Sequence, residues 1–259
     1  MKNNKIKIIV LGSSASSPFP RTQTNRFGDY LDIENYQKKF PLHDDPLCLA
    51  AQHNTKDCRT RSSVAIVTPD QTILLEAGPD VRYQLNKFKI HPDAVFITHN
   101  HFDANYGLKY LSGVKVYSEI EGNVKPGKAI NFGQIAITPF RVLHATNTTC
   151  VGYAIDWLSA GEPKRFVYMT DLGSLQGVER YIKNCDILFA DGSTLTQSMP
   201  SHLSIIKQLD FYRSWKIKKV FFTHIGHSTM PYADLRKFLK NKYENADVTY
   251  DGMSIDFLL

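Results

Sequence analysis

No run of roughly 18 apolar residues occurs anywhere in the chain, so no segment is expected to span a membrane. The opening MKNNKIKIIVLGSS has only a short β-branched apolar run that passes directly into Gly and Ser, unlike the leucine-rich core of a secretory signal. Cysteine is scarce: Cys48, Cys58, Cys150 and Cys185 are the whole complement. Without a secretory signal, these predict reduced thiols or metal ligands in a cytoplasmic protein, not a disulfide framework. Internal repeats, low-complexity tracts and linkers are missing too. With 22% charged residues, 15 Gly and 12 Pro, disorder is not the default.

What is present is material for one large core: 259 residues, 42% of them hydrophobic. A single domain over 1–259 is expected, interrupted by a long irregular insertion at about 19–60. Thirty-one Lys and Arg against 25 Asp and Glu give a net charge of +6, which favours anionic partners without naming one and is equally consistent with a solvated basic surface. The sequence leaves open whether the chain forms a homodimer.

Along the chain, Ile6–Leu11 reads as a strand. Residues 13–61 show no sustained periodicity, as in a functional or tethered excursion. Ser63–Thr68 and Thr72–Glu76 read as a hairpin around Pro69-Asp70-Gln71. Further short strands are expected at 94–98, 115–117, 134–141, 151–156, 165–170, 187–190 and 219–223. Helices are expected at 81–89, 178–183, 203–215 and 232–243. Asp247–Tyr250 and Ser254–Leu258 read as a closing hairpin about Asp251-Gly252. This order suits an α/β chain of α+β type, with two sheets packed face to face and helices outside.

The sharpest local signal is Thr98-His99-Asn100-His101-Phe102-Asp103, fed by an apolar strand. Extended backbone repeats its side-chain direction every second residue, so two imidazoles and a carboxylate can point the same way. Imidazole and carboxylate suit a borderline divalent ion such as zinc, and a catalytic site needs about three protein ligands and one open position. His144, Asp171 and His224 each follow an apolar run. Singly, each reads as readily as a cap or a hydrogen-bonded loop residue; together they place four strand ends around one ligand set.

This succession resembles the metallo-β-lactamase superfamily over nearly the whole chain from Ser63 onward. The resemblance implies an αββα sandwich, the metallo-β-lactamase fold, with the metal site at one edge. It implies that His99, His101 and His144 hold a first metal, that Asp171 bridges two metals, and that Asp103 and His224 hold the second. The family's T-H-x-H-x-D-H run closes on a histidine, and Ala104 stands there in this sequence. One tight catalytic Zn2+ (or Mn2+) and a weak or absent second ion are therefore expected. Glu76 stands where the family has the Asp of its D-x-G run, a residue that orients metal ligands.

The C-terminal third, Asp191-Gly192-Ser193, Ser201-His202-Leu203-Ser204, Thr223-His224-Ile225-Gly226-His227 and Tyr250-Asp251-Gly252-Met253, resembles the PhnP-like phosphodiesterases and the related tRNA 3′-processing nucleases (tRNase Z). That resemblance implies that His202 is a general acid, with Asp103 and Asp171 beside it in the catalytic group. Cleavage of a phosphodiester needs metal-hydroxide attack, positive charge near the nonbridging oxygens and a proton for the leaving alkoxide. Gly12–Pro18 resembles the family's small-residue loop near the active site. Relatives carry a cysteine cluster for a structural zinc; here Cys48, Cys58, His227 and either His43 or His53 are the candidates. Arg59 and Arg61 could neutralise a phosphate or lie solvated.

Three functions compete. The first is a phosphodiesterase acting on a small, anionic, cyclic or nucleotide-like phosphate ester. The second is an RNA-processing nuclease, for which Arg213–Lys219 and Arg236–Lys242 supply basic stretches; no long insertion forms an RNA-gripping arm, so nucleic acid is the less favoured partner. The third is a non-catalytic cofactor-pathway binding protein on the same fold.

Overall fold

The computed structural model describes residues 5–20, 44–144 and 148–259. Two mixed sheets pack face to face. The first has the order β13-β1-β2-β3-β4-β5, formed by Ser254–Leu258, Lys5–Gly12, Ser63–Val67, Thr72–Leu75, Ala94–Phe96 and Lys115–Tyr117. The second has the order β12-β11-β10-β9-β8-β7-β6, formed by Ala246–Val248, Val220–Thr223, Ile187–Asp191, Glu162–Met169, Cys150–Ser159, Ile135–Val142 and Ile130–Phe132.

The period-2 rule of strands sorts the side chains into three apolar layers. Ile6, Ile8, Val64, Ile66, Ile73 and Phe96 meet Tyr153, Ile155, Phe166, Tyr168 and Phe189 between the sheets. Their alternates Ala65, Leu74 and Val95 face outward, where they pack with Val81 of α2 (Val81–Phe88). On the other side Val167, Leu188, Ala190 and Phe222 pack with Ile205, Leu209 and Tyr212 of α5 (Ile205–Ser214) and with Leu235 and Leu239 of α6 (Tyr232–Lys242). This is the expected αββα sandwich. The remaining helices are short: α1 (Pro46–Ala51), α3 (Phe102–Asn105) and α4 (Glu179–Ile182).

The closing hairpin is not formed. β12 lies parallel to β11 in the second sheet, whereas β13 runs antiparallel to β1 in the first. The turn at Asp251-Gly252 therefore carries the chain between sheets, with Gly252 at φ 92°. Elements that went unread in the sequence include β6, a three-residue edge strand, α3, and α1, inside the stretch read as irregular. Residues 21–43 of that insertion lie outside the described residues.

The small-residue loop after β1 joins the two sheets at one edge. Ser62 N–H donates to Ser14 O (2.8 Å) on one side, while Ala15 N–H donates to Ile225 O (2.9 Å) and Ile225 N–H to Ser13 O (2.8 Å) on the other. The candidate ligands lie at this edge.

Candidate metal centre

Each ligand candidate follows a strand that the core holds rigid. His99 comes three residues after β4. His101 has extended backbone (φ −106°, ψ 156°) at the start of α3, so Asp103 lies in that helix's first turn. The alternation read from the sequence thus orients His99 and His101, whereas Asp103 arrives on a helical turn. His144 follows β7. Asp171 and His224, after β9 and β11, have φ of 55° and 56°, a left-handed conformation that is uncommon for residues with a Cβ.

The donor atoms of His99, His101 and His144 lie within 4.8 Å of one another, as do those of His144, Asp171 and His202. His144 Nε2 is 3.3 Å from His101 Nδ1. Asp171 Oδ1 lies 3.8 Å from both His99 Nε2 and His144 Nε2, and 3.4 Å from His224 Nε2, which is in turn 4.0 Å from Asp103 Oδ2. Ligands about 2.0–2.1 Å from a tetrahedral ion are themselves about 3.3–3.5 Å apart, so this spacing suits atoms sharing an ion. His99 Nε2 is buried with no hydrogen-bond partner among the described residues. An orphaned imidazole nitrogen beside a carboxylate and two further imidazoles is the donor set a zinc-like ion takes. The residues present therefore fit the metal that the sequence implies.

The far side of each imidazole is held. Thr98 Oγ1 lies 2.7 Å from His99 Nδ1, and Ser62 Oγ 3.2 Å from His224 Nδ1. His144 Nδ1 donates to the Ser201 carbonyl (2.9 Å), which leaves its Nε2 with a free lone pair. Burial pushes His99 down to about 4, against the opposing carboxylates of Asp171 and Asp103, so its ring stays neutral. Burial would raise the Asp171 carboxyl, but His224, His99, His202 and His144 together hold it well below its usual range.

Opposite the histidines, His202 Nδ1 donates to Asp191 Oδ2 (2.8 Å), and Ser193 Oγ donates to Asp191 Oδ1 (2.5 Å). Burial would lower the His202 pKa, but the hydrogen bond and charge of Asp191 raise it to about 9. A cavity of about 490 Å3 opens over the cluster, lined by residues that include Ser16, Ser17, His101, Asp103, His144, Asp171, His202, His224 and Ser228, with no Lys or Arg among its described lining.

The pattern that classifies the chain matches over residues 71–225, the stretch that carries all six candidate ligands, and is that of the beta-lactamase superfamily domain. The chain belongs to the β-lactamase superfamily. Solved structures with this fold include a diphosphatase of the PhnP family (TM-score 0.75, 21% identity, 98% of this chain and 97% of that one). YhfI from Bacillus subtilis, a metallo-β-lactamase fold protein, is also similar (TM-score 0.71, 16% identity, 98% and 100%). So is the short form of human tRNase Z (TM-score 0.64, 14% identity, 96% and 98%). Among curated proteins, one named octanoyltransferase from Porphyromonas gingivalis is 26% identical over 206 residues, covering 66% of this chain. The chain spans about 40% of that relative's length.

Within this β-lactamase-superfamily site, several expectations change. Arg59 and Arg61 neither line the cavity nor lie solvated; both are buried. Arg59 Nη1 donates to Ser13 Oγ (2.8 Å) and Thr249 O (2.6 Å), and Arg61 Nη1 to Asp80 Oδ1 (3.1 Å). They clamp the loop that joins the sheets. The grouping of Cys48, Cys58 and His227 is also corrected. Cys48 and His227 do meet, but their third companion is Asp45, with donor atoms within 4.8 Å. Cys58 Sγ instead donates to Ala51 O (2.9 Å), since the turn after α1 aims it back at that helix. His53 is exposed, and His43 lies outside the described residues. Asp191 had no role assigned from the sequence. It stands at the end of an apolar strand like Asp171, and that position was the available signal.

Proposed function

We propose that this protein is a metal-dependent phosphodiesterase acting on a small anionic phosphate ester. The observation that carries the reading is the Asp191–His202 pair facing the histidine cluster across the cavity, with His202 and His144 ring centroids 5.2 Å apart. His99, His101 and His144 would hold one ion, Asp171 would bridge towards a second, and Asp103 and His224 would belong to that second position. When bound, such an ion supplies Lewis acidity to a phosphoryl oxygen and acidifies water.

The chain's own residues supply the rest. The hydrogen bond and charge of Asp191 favour the protonated form of His202, which suits it to proton donation. Its free Nε2 can deliver that proton to a leaving alkoxide. The serines of the cavity wall offer hydroxyl donors to phosphoryl oxygens. With no Lys or Arg in the described lining, charge on the substrate is met by His202 and by the cluster itself. That suits a single phosphodiester better than a polyanion, so RNA processing is the second reading, and steep salt dependence would mark it. No helix among the described residues is long and apolar enough to cross a membrane. We also propose that Asp45, Cys48 and His227 hold a separate structural zinc.

The test compares His202→Ala on an alkyl phosphodiester and on bis-p-nitrophenyl phosphate. An alkoxide needs a proton in the transition state, whereas p-nitrophenolate leaves as a stable anion. Loss of kcat/KM should reach about 10²–10⁴-fold on the alkyl ester and far less on the aryl one. Equal losses would remove the proton-donor role. Turnover of an octanoyl thioester with no turnover of any phosphodiester would overturn the proposed substrate class.

A further inference from the structure

Two departures from the family pattern, Glu76 and Ala104, meet in one place. Beneath the main cavity lies a second void of about 10 Å3, bounded by Glu76, Ala104, Asp103, Asp171, His224 and Tyr168 among others. That is the room of roughly one water molecule or one ion. Glu76 is 2% exposed. Its Oε1 accepts from Thr98 N–H (2.9 Å), while its Oε2 is buried with no hydrogen-bond partner. Tyr168 Oη and His99 Nε2 border the same void and are likewise buried and unpartnered.

The chemistry of this lining selects its occupant. Three carboxyl groups and two imidazoles offer lone pairs; of the hydroxyls that border the void, those of Ser62, Tyr168 and Thr170, Ser62 Oγ already donates to Ser14 O (2.9 Å). A water molecule has two protons and can serve two acceptors. A cation serves them all and also relieves the crowding of three carboxylates. The alanine at 104 removes a side chain from this wall, and the glutamate at 76 brings a carboxylate one methylene further than an aspartate would.

We propose that Glu76 Oε2 is a ligand of a second metal ion, completing with Asp103, Asp171 and His224 a position that Ala104 leaves short. This rests on the metal-centre reading above and replaces the expectation of a weak or absent second ion. Three carboxylates to one imidazole make the position oxygen-rich. It therefore favours a hard ion such as Mn2+, while His99, His101 and His144 favour Zn2+.

The experiment uses the metal-stripped full chain loaded with two equivalents of Zn2+, one for the Asp45–Cys48–His227 position and one for the histidine cluster, and titrated with Mn2+. Bound Mn2+ is read by electron paramagnetic resonance, and total metal by elemental analysis after gel filtration. Wild type should retain Mn2+ beside its Zn2+. Glu76→Gln, which keeps the acceptor for Thr98 N–H, should retain Zn2+ and bind Mn2+ at least about 100-fold more weakly. Retained Zn2+ shows that this variant is folded. Adding Ala104→His to Glu76→Gln should restore a second ion, now with a preference for Zn2+. No tightly bound Mn2+ in the wild type, or unchanged Mn2+ affinity in Glu76→Gln, would overturn the role of Glu76 and leave the first site standing. Zn2+ retention that His99→Ala leaves unchanged would overturn the metal-centre reading itself.

Discussion

At the scale of single residues, His202 depends on its neighbour. The proton it would give is present below its pKa and gone above it, so activity on an alkyl ester should fall as pH rises through that value. Asp191 raises it to about 9 from an ordinary 6.5, against the opposing effect of burial. In Asp191→Asn the hydrogen-bonding shape remains, the negative charge is lost and the burial penalty persists. The basic limb of the pH–kcat profile should therefore move to lower pH, and an imidazole NMR titration of His202 should move with it. A limb that stays in place would belong to another group. This pair was only partly legible in the sequence: His202 was reached through resemblance, and its partner lies 11 residues away on another strand end. The metal ligands were more legible, because His99 and His101 sit on one short stretch of chain. Glu76 was read as an orienting residue. Its Oε1 does hold Thr98 N–H, but only the packing of Ala104, Tyr168 and Asp103 around it shows where Oε2 points.

At the scale of elements, α1 shows how a helix end can set up a site. Asp45 caps it, with Oδ1 accepting from Leu47 N–H (3.1 Å) and Cys48 N–H (3.0 Å). Its Oδ2 lies 2.9 Å from His227 Nδ1, and the ring of His227 lies against Phe19 with centroids 4.1 Å apart. One carboxylate thus fixes the helix start and holds the loop after β11, with Cys48 in the first turn. Cys48→Ser should remove the structural zinc and lower stability by on the order of 1–3 kcal/mol, a fall of several degrees in Tm. Cys58→Ser, outside the cluster, should leave both zinc content and Tm near wild type. Equal zinc content in the two variants would sink the structural site. The strands were legible by alternation, but their partners were not. Asp251-Gly252 carries the local signal of a hairpin, yet β12 pairs with β11 in one sheet and β13 with β1 in the other. The approach of α3 was also hidden from the sequence: a Cβ on Gly78 would lie 2.2 Å from Asp103 O, so that glycine lets the Glu76–Gly78 turn pack against the helix carrying Asp103.

At the scale of the whole molecule, the two sheets meet the site from both sides. His99 is fed by the first sheet, and His144, Asp171 and His224 by the second. An ion shared among them ties the sheets together across their edge, so removing it should loosen the sandwich and not merely silence it. An ion present at about 1,000 times its Kd contributes about 4 kcal/mol, on the order of 10 °C in Tm for a domain of this size. Chelation should lower Tm by that amount, and Zn2+ should restore it. A Tm indifferent to chelation would mean that no tight ion bridges the sheets. The sequence by itself determined the periodicities, and through them which residues face the core; it also determined the His-x-His pattern and the ligand types, because these are properties of neighbouring positions. Only the tertiary structure decided which strand ends converge, that Arg59 and Arg61 are buried clamps, that Asp45 stands where Cys58 was expected, and that Glu76 and Ala104 share one void. Those are distances between residues far apart in the chain, and only the packing of the two sheets sets them.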